Sequence, residues 1–110
     1  MKSNQQLNLE SNMAAARLAG KDPVDIAGYT YIKQPNGNFS VFSIFKNSED
    51  FLLVMDALYV RDLSIVASNG QFFIWDEAGQ SHLTEDTYST KEKALADASL
   101  MLQKQTKYDL

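Results

Sequence analysis

No cysteine occurs among the 110 residues of this chain. That absence excludes disulfides, thiolate nucleophiles, iron–sulfur clusters and cysteine-ligated zinc together. It fits a reducing cytoplasm, which is the expected location. Histidine is almost as scarce. His82 is the single imidazole, and no HxH or EF-hand spacing accompanies it. No metal or other cofactor is expected. Long apolar runs are missing too, with none approaching the roughly 20 residues that span a bilayer. The start Met1-Lys2-Ser3-Asn4-Gln5-Gln6 lacks the apolar core of a secretory leader, so neither export nor a membrane partner is expected. The five glycines are dispersed as turn residues, without a GxGxxG or phosphate loop. Basic residues are in deficit: 10 Lys and Arg against 14 Asp and Glu give a net charge of −4. Affinity built on phosphate neutralisation needs clustered Lys and Arg, so nucleic acid is a disfavoured partner and a basic protein surface is a permitted one.

What is present is a globular composition. An apolar fraction of 45% suffices for one core, so residues 1–110 are expected to form a single domain with 1–10 flexible. The clearest pattern is an echo. Asn36-Gly37-Asn38-Phe39-Ser40-Val41-Phe42 returns as Asn69-Gly70-Gln71-Phe72-Phe73-Ile74-Trp75. Asn-Gly is the pair that a two-residue hairpin turn favours, because both central residues need positive φ.

Around those turns the local signals are consistent. Ser11 to Ala19 holds helix formers after a capping residue, stopped by Gly20 and Pro23, which predicts a short N-terminal helix resting on the main body. Gly28 to Lys33 and Phe39 to Phe45 are β-branched and aromatic, and read as the strands of a first hairpin. Asn47 or Ser48 before Glu49 and Asp50 predicts a helix start, with Phe51, Leu52, Met55, Leu58 and Tyr59 on its buried face. Leu63–Ala67 and Gln71–Trp75 form the second hairpin, and Gln80–Thr84 is a candidate third strand. Ser89-Thr90-Lys91-Glu92 offers a capping box for the last helix, whose apolar face is Ala94, Leu95, Ala98, Met101 and Leu102. The expected class is therefore α+β: an antiparallel sheet from two hairpins each followed by a helix, a pseudo-repeated ββα over about 28–60 and 63–105, plus the N-terminal helix. The strands repeat at an offset of thirty-three and the helices at forty-three, which implies an insertion of about ten residues in the second copy, around Asp76 to Thr87.

Alternation along the strands places Phe39, Val41 and Phe45 on one face and Phe42 and Ile44 on the other, with Phe73 and Trp75 likewise opposite Phe72 and Ile74. Both faces are thus apolar, and a sheet apolar on both faces needs two covers. Either the core encloses both faces, or the one bearing Phe42, Ile44, Phe73 and Trp75 meets another protein, a second copy in a homodimer included. The candidate partner-binding residues are these four with Asp76, Glu77, Glu85 and Asp86, an acidic stretch suited to a basic surface.

Catalytic groups are few. His82 lies near carboxylates in sequence, but a solvated acidic loop with one incidental imidazole explains it, and the serines occupy turn, strand and capping positions. The chain is not expected to be an enzyme, and no catalytic residue is assigned. Sheet aromatics flanked by Lys33, Lys46 and Arg61 allow an alternative, a sheet that stacks single-stranded bases.

One resemblance adds to this. Phe72 to Leu95, with Trp75, the Ala78-Gly79-Gln80 turn and Tyr88-Ser89-Thr90-Lys91 leading into Ala94-Leu95, resembles the YegP-type repeat family over about a quarter of the chain. Those repeats are strand-rich hairpins closed by a helix and occur in tandem. The first half lacks the Tyr-Ser-x-Lys entry to its helix. The resemblance implies a fold, no activity and no functional residue. The expected function is a non-enzymatic protein-binding, accessory or inhibitor module, such as a phage or bacterial inhibitor of a host protein complex, acting through an apolar sheet face and the acidic loop.

Overall fold

The computed structural model describes residues 3–84 and 86–106. Chain order is α1 (Asn4–Leu18), β1 (Pro23–Ile26), β2 (Tyr29–Lys33), β3 (Phe39–Val41), α2 (Ser48–Val60), β4 (Leu63–Ser68), β5 (Gln71–Asp76), β6 (Ser81–His82) and α3 (Lys91–Thr106). The class is α+β. The strands form two antiparallel three-stranded meanders, β1-β2-β3 and β4-β5-β6, rather than one sheet. Each meander is followed in the chain by a helix, so the order after α1 reads βββα twice, and the ββα unit expected from sequence is one strand short.

The sequence echo joins hairpins that are not equivalent. Asn69-Gly70 is the two-residue turn between the first two strands of its meander, at φ 53° and 74°, with Ser68 paired to Gln71. Its topological counterpart is Ala27-Gly28, at φ 55° and 85°, with Ile26 paired to Tyr29. Asn36-Gly37 belongs instead to a longer β2–β3 loop. There the Gly37 N–H donates to Gln34 O at 2.9 Å, closing a turn with Pro35 in second place, and only Gly37 takes positive φ. Measured between counterpart turns, the offset is forty-two, against forty-three between the helix faces, and the expected ten-residue insertion disappears.

Helix α1 is longer and more central than a lid. It starts at Asn4 rather than near Ser11, because Ser3 and Gln6 form a capping box: Ser3 Oγ accepts from Gln6 N–H and Gln6 Oε1 accepts from Ser3 N–H, both at 3.2 Å. Ala14, Ala15 and Ala16 are buried, and these small side chains let α1 pack along α3, where Ala94, Leu95, Ala98, Ser99 and Leu102 are buried in turn. The α1–α3 contact is the most extensive between helices, and Arg17 Nη1 donates to Gln103 Oε1 at 2.8 Å along it. Helix α2 is capped by Asn47, whose Oδ1 accepts from Glu49 and Asp50 N–H. At α3 the cap is Thr90 rather than Ser89, with Thr90 Oγ1 accepting from Lys93 N–H at 3.2 Å.

Packing does not repeat as the topology does. The first sheet lies on α1, whereas the second lies on α3 and α2, and among the described residues no strand of one sheet touches the other. Helix α2 buries Phe51, Val54 and Leu58 while Leu52 and Tyr59, expected inside, are exposed. The core thus runs through the middle of the molecule, and each sheet keeps one covered face and one open face.

Candidate partner-binding surface

On β2, Thr30 and Ile32 face inward and are buried, so Tyr29, Tyr31 and Lys33 face outward. Register carries that outward face across the sheet. Val24 pairs with Tyr31 and Tyr31 with Val41, forming one lateral row; Ile26 pairs with Tyr29, and Lys33 with Phe39. Val24, Ile26, Tyr29, Phe39 and Val41 are all exposed, with Phe39 and Val41 each at 51%. Five of the nine exposed large hydrophobics of the described chain therefore lie on one face of one small sheet. Aromatic-rich surfaces with few charges are what protein interfaces present.

The residues expected to make this surface are placed differently. Phe42 and Ile44 are each 1% exposed and belong to the core. The reason is that their face is the covered one: Phe42 N–H donates to Thr30 O at 2.9 Å, so Phe42 stands beside the inward-facing Thr30 and opposite the outward Val41. Phe73 and Trp75 do stand on an open face, that of the second sheet, where Trp75 pairs with His82. The His82 ring stacks on Phe73 at 4.3 Å with an interplanar angle of 2°, and meets Trp75 edge-on at 5.8 Å. Trp75 Nε1 donates to Glu77 Oε2 at 2.9 Å, which commits that carboxylate to the indole. Among the described residues, the contacts of the imidazole are these two rings. Asp76 Oδ1 accepts from Gly79 N–H at 3.3 Å within the β5–β6 turn, Asp86 is exposed before α3, and Glu85 lies outside the described residues. The eight candidates do not form one patch: two are core, and those described among the other six belong to the second sheet and the loop after it.

The exposed members of the first sheet were missed by sequence reasoning for two reasons. Strand β1 follows Gly20 and contains Pro23, a stop signal to a helix, although proline at the first position of a strand is compatible with a sheet. Its turn, Ala27-Gly28, carries no Asn-Gly signature. The alternation of Val24-Asp25-Ile26 was the available signal.

Among the described residues two titrating groups are displaced from their ordinary values, and both lie off this surface. Burial raises the Asp50 carboxyl, opposed by a 3.1 Å hydrogen bond from Ser43 N–H and reinforced by Glu49. Burial also raises the Tyr88 phenol, with a bond to Thr84 acting against it and Asp97 and Asp86 adding to it. Among the described residues no group of three His, Asp or Glu side chains is placed to hold a metal ion, and no helix is long and apolar enough to cross a membrane.

The arrangement defines a small two-sheet α+β protein with an open apolar sheet face. Comparison with protein-family models, curated proteins and solved structures finds no match. None of these comparisons bears on the YegP-type resemblance.

Proposed function

We propose that the chain is a non-enzymatic protein-binding module whose contact surface is the open face of the first sheet. The observation that carries this reading is the gathering of Val24, Ile26, Tyr29, Phe39 and Val41 on that face. Each of these side chains is about half exposed, so cover by a partner contributes about 1 kcal/mol per residue. An inhibitor that occludes a host complex, of phage or bacterial origin, is one form of this reading, favoured by small size and acidity alone. The acidic residues of the second sheet lie on a different element and are not required by it.

The test compares Phe39→Ser with Val41→Ser as a double variant against Phe42→Ala. The double variant is expected to lose the partner that the native chain retains in affinity capture from its host, at a stability cost of about 1 kcal/mol per half-exposed site. Phe42→Ala, in the core, is expected to cost about 3–5 kcal/mol in urea unfolding. Undiminished capture by the double variant would sink the assignment of this face.

One observation favours a second reading, a sheet that stacks single-stranded bases: Tyr29, Tyr31 and Phe39 share the open face with Lys33. A gel shift at low salt with single-stranded oligomers decides it, and no retardation removes it.

A further inference from the structure

The cleft between α1 and the first sheet is built unlike the open face beside it. It encloses about 550 Å³, within the range of small-molecule sites. One wall is α1, which contributes the side-chain amides Gln5, Asn8 and Asn12 at a spacing that puts them on one helical face. Opposite it stand the half-buried Phe45 and, at the sheet rim, Tyr31, with the buried Phe42 behind them. In a chain of net charge −4, the described lining holds no carboxylate and one cation, Lys46.

A second observation points to a ligand. Thr30, only 2% exposed, lines this cleft from the inner side of β2, and its Oγ1 has no hydrogen-bond partner. The buried polar side chains of Asn12, Ser99 and Thr84 are satisfied: Asn12 Oδ1 accepts from Ile44 N–H, Ser99 Oγ donates to Leu95 O, and Thr84 Oγ1 donates to Asp86 O. A valine would fill the Thr30 position without an orphaned hydroxyl, so the fold by itself does not account for threonine there. At the cleft mouth, a Cβ on Gly28 would stand 2.7 Å from Gln5 Nε2, so the missing side chain makes room for that amide.

We propose that this cleft binds an adenine-bearing small molecule, as the nucleoside or its monophosphate. Adenine presents an adjacent donor and acceptor on one edge, which a side-chain amide matches in a bidentate pair. Its flat π face suits the aromatic wall. The Thr30 hydroxyl both donates and accepts, and supplies a further bond to the ring. Lys46 fits a single phosphate by a charge-assisted bond, and nothing in the lining repels one. The cleft shares Tyr29, Tyr31 and Val41 with the rim of the open face, but the inference rests on the amide wall and Thr30, which the protein-binding reading does not use.

The experiment titrates adenosine, adenosine monophosphate, uridine monophosphate and inorganic phosphate separately into the isotope-labelled full chain, following backbone amide signals by NMR. Adenosine and its monophosphate are expected to shift Asn8, Asn12, Thr30 and Tyr31 saturably. Thr30→Val is expected to raise the melting temperature while weakening the monophosphate about tenfold, the loss of one good hydrogen bond. Lys46→Ala is expected to weaken the monophosphate and leave adenosine unchanged. Should Thr30→Val fail to fold, Asn8→Ala, at an exposed position on the amide wall, is expected to lose binding by a similar factor. No saturable shift, equal binding of uridine monophosphate, the same shifts from inorganic phosphate, or unchanged affinity in a folded Thr30→Val variant would each overturn the proposal.

Discussion

The Asn12 side-chain carbonyl accepts a 2.9 Å hydrogen bond from the backbone N–H of Ile44, tying the middle of α1 to the segment that follows β3. Both residues are buried. The bond fixes the segment that carries Phe42 and Ile44 into the core, and it holds one wall of the cleft against the other.

Removing that acceptor leaves a buried N–H unpaired. Asn12→Ala is therefore expected to lower stability by about 1–3 kcal/mol in urea unfolding. Asn8→Ala, one turn earlier at an exposed position, should stay within about 0.5 kcal/mol of the native chain. Equal losses from the two would mean that the Asn12–Ile44 bond contributes nothing specific.

At the β1–β2 turn, Ala27 is held at φ 55°, a left-handed conformation that costs a residue with a Cβ about 1–2 kcal/mol. Asn is much better tolerated there. Ala27→Asn is expected to stabilise by about 1 kcal/mol, raising the melting temperature by about 4–8 °C for a domain near this size. Gly28→Ala should do the reverse, since it combines φ 85° with a Cβ 2.7 Å from Gln5 Nε2. Calorimetry on both variants checks the pair, and a destabilised Ala27→Asn would refute the turn geometry.

Asp50 gives the chain a pH dependence of definite sign. Burial raises its carboxyl pKa in the folded state above the ordinary value of 3.8, so between the two values the folded chain binds more protons than the unfolded one. The contribution of this residue is therefore most favourable below the unfolded value and declines as pH rises through the raised folded value. Asn at position 50 keeps an acceptor for Ser43 N–H without the charge. Asp50→Asn is expected to be the more stable form at neutral pH and to lose this part of the slope in denaturation midpoints measured from about pH 3 to about pH 7. A less stable variant at neutral pH would show instead that attraction to the N-terminus of α2 outweighs burial.

Much of the local structure was legible. The β4–β5 hairpin, the start of α2 and the buried face of α3 follow from Asn69-Gly70, from Asn47 before Glu49 and Asp50, and from the spacing of Ala94, Leu95, Ala98 and Leu102. Each rests on interactions within a few residues, so the signal is local too. Strand β1 was hidden because alanine in a left-handed turn leaves no compositional mark. The cleft was hidden because Thr30 and Asn12 are far apart in sequence and meet only when α1 lies on the first sheet.

By itself, then, the sequence determined which residues start helices, where one tight turn falls, which side chains share a strand face, and that the class is α+β. Tertiary structure alone decided which of two apolar faces is covered. Alternation places Val41 and Phe42 on opposite sides, yet only the packing of α1 against the first sheet and α3 makes one half-exposed and the other core. The physical reason is that burial is a property of non-local contact: hydrophobic side chains declare a need for cover, and the element that meets it lies elsewhere in the chain.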